Sequence, residues 1–225
     1  MESSTPHPAQ LAREIADALD ALPERTTVPV RELRRGFSRR IAAWEPRHVV
    51  ELAERLLDGG DDVRRLVAYE LVSEHRPALR SLGAAELERL GRGMASWVAV
   101  DTFGCYVSGP AWREGQVADE VIHGWAASPD RWWRRAALVS TIGLNNCARG
   151  GRGDTPRTLA LCALLAADRD DMVVKAVSWS LRELCKRDPA AVEAFVERHR
   201  ATLAPRVLRE VANKLRTGLK NPRPA

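Results

Sequence analysis

From end to end the chain repeats apolar residues at three- and four-residue intervals, and nowhere does it sustain the two-residue alternation of a half-buried strand. Its interruptions are helix stops: Gly59-Gly60, Gly91, Gly109-Pro110, Gly115, Pro129 and Gly150-Gly151. The spacing predicts helices near 8–22, 29–43, 46–58, 61–75, 84–102, 115–127, 130–144, 155–167, 170–187, 189–199 and 205–219. Many helices separated by short polar joints favour antiparallel pairs packed side by side, so an all-α, HEAT-like helical-repeat solenoid is expected, although no strict sequence repeat is visible. The expected organisation is one domain over 8–220, with disordered tails at 1–7 and 221–225.

Within 29–43, Val30, Leu33, Phe37, Ile41 and Trp44 form one apolar stripe expected to be core, which leaves Arg31, Arg35 and Arg39 on the solvated side. The Arg149-Gly-Gly-Arg-Gly-Asp154 segment reads as a flexible connector, with Asp154 or Thr155 capping the next helix.

Four cysteines without a CxxC pair, and five histidines that share no face with them, argue against a zinc site or disulfide framework. The N-terminus lacks a signal-peptide pattern and no stretch is apolar enough to span a bilayer, so a cytoplasmic protein with no membrane partner is expected. The net charge of +5 is unevenly spread. Residues 1–130 hold 16 Lys+Arg against 21 Asp+Glu, whereas residues 131–225 hold 19 against 9. Codon bias explains why Arg outnumbers Lys, but not this asymmetry, which points to a polyanionic partner, either nucleic acid or an anionic membrane surface.

The helix expected at 170–187 sets Val173, Ala176, Val177, Leu181 and Leu184 on one face and Lys175, Trp179, Arg182 and Lys186 on the opposite one. A tryptophan within a cationic stripe is either covered by the next helix or offers its ring to a base or sugar while the cations hold phosphates. The helix at 205–219 repeats the pattern, with Val207, Leu208, Val211 and Leu215 opposite Arg206, Arg209, Asn213, Arg216 and Lys220. In 84–102, Leu87, Leu90, Met94, Trp97 and Val98 keep helical spacing, and Asp101 falls on their face. A carboxylate there is costly unless paired, so Asp101 is either a helix-terminal acid paired with an Arg or a functional group. The helix 130–144 opens with Arg131-Trp-Trp-Arg-Arg135, with Trp132 and Trp133 expected mainly in the core and Arg134 and Arg135 to the sides.

Taken in order, Val28-Pro-Val-Arg-Glu-Leu-Arg34, Ser96-Trp-Val-Ala-Val-Asp101, Trp132-Trp-Arg-Arg-Ala-Ala137 and Lys175-Ala-Val-Ser-Trp-Ser-Leu-Arg-Glu183 resemble the AlkD-like DNA alkylation repair family, the HEAT-like-repeat alkylpurine DNA glycosylases of bacteria. The resemblance spans about residues 25–217. It implies a solenoid with a concave basic surface that hydrolyses the N-glycosidic bond of N3- or N7-alkylated purines in duplex DNA, leaving an abasic site without strand cleavage. It implies Asp101 as the catalytic residue, Trp97 and Trp179 against the lesion, and Arg135 supporting the nearby DNA backbone. The cations Lys175, Arg182, Lys186, Arg206, Arg209 and Arg216 are expected to bind DNA. Neither metal nor cofactor is implied, and a monomer is expected. Two other readings stay open: a non-catalytic HEAT-repeat scaffold for damaged or branched DNA, and a protein-interaction solenoid whose basic faces meet an acidic partner.

Overall fold

The computed structural model describes residues 7–58 and 61–222. The Gly59-Gly60 stop and most of both expected tails lie outside them. Of the tail residues described, His7 holds the first helix by accepting the Leu11 amide at its carbonyl (3.0 Å), and Asn221 and Pro222 follow a bend. Among the described residues there are helices and no strands, and the chain divides into two compact units at Thr102/Phe103.

The first unit contains α1 (Pro8–Asp20), α2 (Thr27–Arg40), α3 (Pro46–Leu57), α4 (Asp62–Glu74), α5 (Arg76–Arg80), α6 (Ala84–Gly91) and most of α7 (Trp97–Phe103). Proline at the first helical position starts α1 and α3, where the missing N–H costs nothing, and the Asp61 carboxylate caps α4 by accepting the Arg64 amide at 2.8 Å. Helices α1 and α3 pack together, as do α2 and α4, and α3 joins the pairs across α4. Ile15, Leu19, Leu52, Leu71, Leu87 and Leu90 form their core.

Helix α2 departs from its expected stripe. Val30 and Ile41 are buried, but Leu33, Phe37 and Trp44 are only half-buried, and Arg34 is buried instead. Glu70 of α4 draws it in, accepting Arg34 Nε at 3.1 Å and Arg31 Nε at 2.7 Å. A buried carboxylate is strongly destabilising if left unpaired, and the two guanidiniums supply that pairing, so Arg31 is not a free solvent-side cation.

The expected helix 84–102 is two. Its spacing holds, since Leu87, Leu90 and Met94 are all buried, but the backbone leaves the helix at Arg92 and turns through Gly93 at φ 70°. Only glycine adopts that conformation without strain. Met94 is therefore carried by a turn, and α7 restarts under Ser96, whose hydroxyl accepts the Ala99 amide at 3.1 Å.

The second unit continues from Phe103 through a π-helical segment (Gly104–Ser108) into α8 (Gly109–Arg113), a stretch between the helices that the spacing predicts. Pro110 explains the widened turn: it has no N–H to donate and its ring collides with the carbonyl four residues back, so the Gly109 amide reaches five back to Gly104. Then follow α9 (Asp119–Ala126), α10 (Arg131–Asn145), α11 (Thr155–Leu164), α12 (Asp171–Leu184), α13 (Pro189–Arg198) and α14 (Pro205–Thr217). Helices α10, α12 and α14 stack as one layer and α9, α11 and α13 as a second, giving the two-layer helical repeat. An aspartate caps each of α10 to α13: Asp130, Asp154, Asp170 and Asp188 accept the amides of Trp132, Arg157, Met172 and Ala191. Orphan donors are thus satisfied at the start of these four helices, whereas α9 and α14 start at Ala118 and Ala204, which offer no side-chain cap.

The π segment and α8 lie directly against α10. Ser108 donates to Ser140 Oγ at 2.7 Å, because Ser140 spends its own proton on the Ala136 carbonyl. A Cβ on Gly143 would meet Gly109 Cα and C at 2.8 Å, closer than backbone tolerates. Gly143→Ala is therefore expected to lower stability by about 1–3 kcal/mol, read as a shift in the urea midpoint at constant m value.

The segment 149–154 is held, not flexible. Arg187 donates to the carbonyls of Asn145 (2.9 Å) and Gly151 (2.6 Å), and Arg113 to those of Gly143 (3.0 Å) and Arg149 (2.8 Å). Asp154 is the cap of α11, as its position in the sequence suggests.

Candidate nucleic-acid interface and its carboxylate

Helix α7 carries the two residues that the sequence singles out in the first unit. Trp97 and Asp101 are four apart and so lie one turn above each other on one side of the helix. Ala99, Val100, Thr102 and Phe103 turn inward and are buried. Trp97 does not extend the core stripe: it is 57% exposed, the most exposed of the seven tryptophans, while Asp101 is half-buried. The break at 92–96 decouples α7 from the α6 core face, which leaves this side of the helix free to face outward. Thr102 donates its hydroxyl to the Val98 carbonyl at 2.8 Å.

The remaining candidates stand on α10, α12 and α14 of the second unit. Arg135 is not at the side of α10. It is 5% exposed, and its Nη1 donates to the Met172 carbonyl at 2.6 Å, which pins the first turn of α12. Its neighbour Arg134 is held by Asp168 at 2.8 Å and by the carbonyls of Ser128 and Pro129. Trp132 and Trp133, expected in the core, are half-buried. Trp133 leans on Trp125 (ring centroids 4.9 Å apart) and edge-on to Phe103 (6.2 Å), and Arg131 lies over Trp132.

On α12 the expected faces are present. Val173, Ala176, Val177, Leu181 and Leu184 are buried and Lys175, Trp179 and Arg182 are half-buried, while the exposed Lys186 lies in the turn after Leu184, where the helix ends short of the expected 187. On α14, Val207 and Val211 are buried, Leu208 and Leu215 only partly, and Arg209 and Arg216 are exposed. The stripes are less bare than a charge count suggests. Lys175 Nζ meets Asp171 at 2.6 Å, Arg206 meets the same carboxylate at 3.0 Å, and Lys186 meets Glu183 at 2.7 Å. Arg182 donates to Ser178 Oγ at 3.1 Å and lies 3.8 Å from Glu210, which also accepts from Ser178 (2.6 Å) and lies 3.5 Å from Lys220. Burial lowers the Arg182 pKa from its usual value, against the pull of Glu210, and leaves it a cation. Arg209 and Arg216 make no ion pair among the described residues.

Sequence reasoning missed these three acids, yet each left a signal. Asp171 stands four before Lys175 and Glu183 three before Lys186, helical ion-pair spacings, and Glu210 follows Val207 by three, on the apolar face where an acid must be paired. No group of three or more His, Cys, Asp or Glu is placed to hold a metal among the described residues, and no helix there is long and apolar enough to cross a membrane.

The family model for the DNA alkylation repair enzymes matches residues 24–215, a span that runs from just before α2 into the last turn of α14. No curated protein and no solved structure matches the chain.

Proposed function

The chain belongs to the DNA alkylation repair enzyme family, and from that premise we propose that it is a monofunctional glycosylase that releases N3- or N7-alkylated purines from duplex DNA. The observation that carries this reading is the pairing on α7 of an outward indole, Trp97, with a carboxylate one turn away, Asp101.

The chemistry asks for little else. Alkylation at N3 or N7 makes the purine cationic, so it departs without a general acid. Bond cleavage leaves positive charge on the sugar, which an anion stabilises, and the same carboxylate orients the attacking water. The water adds to the anomeric carbon, its proton passes to solvent, and the electron pair of the broken bond leaves with the base. An indole face attracts a cationic base by about 0.5–2 kcal/mol, so Trp97 favours alkylated over ordinary purines before any chemistry occurs.

Binding falls to the second unit in this reading. Arg209 and Arg216, exposed and without ion pairs among the described residues, meet backbone phosphates, with Lys175, Arg182, Lys186 and Arg206 beside them and the half-buried Trp179 offering its ring to the DNA. Arg135 is a positioning residue, holding the first turn of α12 through the Met172 carbonyl rather than reaching into solvent. Replacing both Arg209 and Arg216 by Gln should weaken binding to damaged and undamaged duplex alike. It should also flatten the plot of log affinity against log salt by about 2, since each lost phosphate contact removes about 0.9.

The reading is tested by incubating the protein with duplex carrying one 7-methylguanine. Free 7-methylguanine above the level of an enzyme-free control, with abasic sites left at that position alone, is expected. Tight, salt-sensitive binding without such sites would make the protein a scaffold for damaged DNA.

A further inference from the structure

The cationic layer of the second unit contains an anion of its own in an unusual place. Asp171 opens α12 with its side chain 58% exposed, and its two oxygens divide between two helices: Oδ2 takes Lys175 Nζ of α12 at 2.6 Å, and Oδ1 takes Arg206 Nη1 of α14 at 3.0 Å. Helix capping does not account for it. The preceding Asp170 already caps α12, accepting the amides of Met172 and Val173. Nor does it fill a buried gap, as Glu210 does between the same helices. What Asp171 does is bridge two cations on neighbouring helices with two oxygens of one anionic group, the arrangement that a phosphodiester offers. The hydrogen bond from Lys175 leads the causes that hold its carboxyl below the usual range, with Arg206 and Arg135 adding to it.

We propose that Lys175 and Arg206 form a backbone-phosphate seat that Asp171 occupies in the free protein, so that DNA must displace this carboxylate to engage both cations. The inference rests on the DNA-binding reading above and goes beyond it by assigning a residue that restrains binding. Exposed ion pairs are weak, and both pairs here are largely solvated, so displacement is cheap. It is not free, because the released carboxylate lies near the incoming phosphate and recruits a counterion as the phosphate sheds its own. The consequence is a built-in discount on affinity for any duplex, which lets the protein leave undamaged DNA and makes retention depend more heavily on contacts to the lesion.

The test measures binding of an unmodified duplex by fluorescence anisotropy across a salt series. Asp171→Asn should bind about three- to tenfold more tightly than wild type at moderate salt, with a salt slope steeper by about 1 to 2, as one or two cations become available to phosphate. Asp171→Ser, which keeps a residue suited to a helix start, should behave the same way. Glu197→Gln makes the same change in net charge on α13, where Glu197 pairs with Arg200, and should leave affinity nearly unchanged. In a Lys175→Gln, Arg206→Gln background, Asp171→Asn should bring no gain. Equal affinity for wild type and Asp171→Asn, or an equal gain from Glu197→Gln, overturns the proposal while leaving DNA binding intact. Failure of the wild-type protein to retain duplex even at low salt overturns the DNA-binding reading and this inference with it.

Discussion

Replacing Glu70 with glutamine is expected to lower the stability of the first unit by about 3–5 kcal/mol, the cost of removing one partner from a buried ion pair. Glu70 is 5% exposed and Arg34 is 8% exposed, and the pair joins α2 to α4. Glutamine keeps the shape and one acceptor oxygen but removes the charge, leaving the Arg34 guanidinium buried with only Ser38, at 3.3 Å, among its other described partners. Helix α2 has little else to hold it, since Val30 and Arg34 are its buried residues. The loss should therefore appear as early loosening of α2, in hydrogen exchange as well as in the urea midpoint. Adding Arg34→Met to Glu70→Gln should recover much of the loss, because an apolar side chain of similar length no longer needs the carboxylate. Equal stability of the single and double variants would mean that the pair contributes packing alone.

Asp101→Asn is expected to slow excision by about 10²–10³-fold at saturating enzyme, the usual cost of removing an electrostatic partner from a developing charge. Asparagine matches the size of aspartate, and it can still accept a hydrogen bond from water. It carries no negative charge to set against the oxocarbenium-like sugar, so the loss falls on the chemical step. Affinity for lesion-bearing duplex should be unchanged or slightly higher, because an anion near phosphate has been removed. That separation of rate from affinity distinguishes a transition-state role from a folding defect, which would weaken both.

The features legible in the sequence are those that local spacing encodes. The apolar face of α12 is buried as its 3.6-residue period requires, Asp154 caps α11, and Trp97 and Asp101 share a helical side because four residues make one turn. What escaped was set by partners distant in the chain or by backbone geometry. Residues 84–102 read as one helix because Leu87, Leu90 and Met94 keep their period across a turn, and only the left-handed Gly93 marks the break. Arg31 looked solvated because Glu70, 39 residues away, is invisible to a helical wheel. The glycine-rich stretch at 149–154 looked loose because its order comes from Arg113 and Arg187, neither of them nearby in sequence. The cationic stripes of α12 and α14 were read at full charge because Glu183 and Glu210 approach them from faces that the periodicity assigns to the core. Arg135 was misplaced for a related reason: its side chain reaches across to the Met172 carbonyl, and backbone acceptors leave no trace in a residue pattern.

The central claim is that the carboxylate on α7 drives release of an alkylated base. Its most direct test is chromatographic detection of free 7-methylguanine or 3-methyladenine from duplex DNA under single-turnover conditions, with wild type and Asp101→Asn run side by side. Release of the modified base by wild type, with intact strands and a rate that collapses in the variant, is the predicted result. Equal release by both proteins, or none by a wild type that binds the duplex, would contradict it.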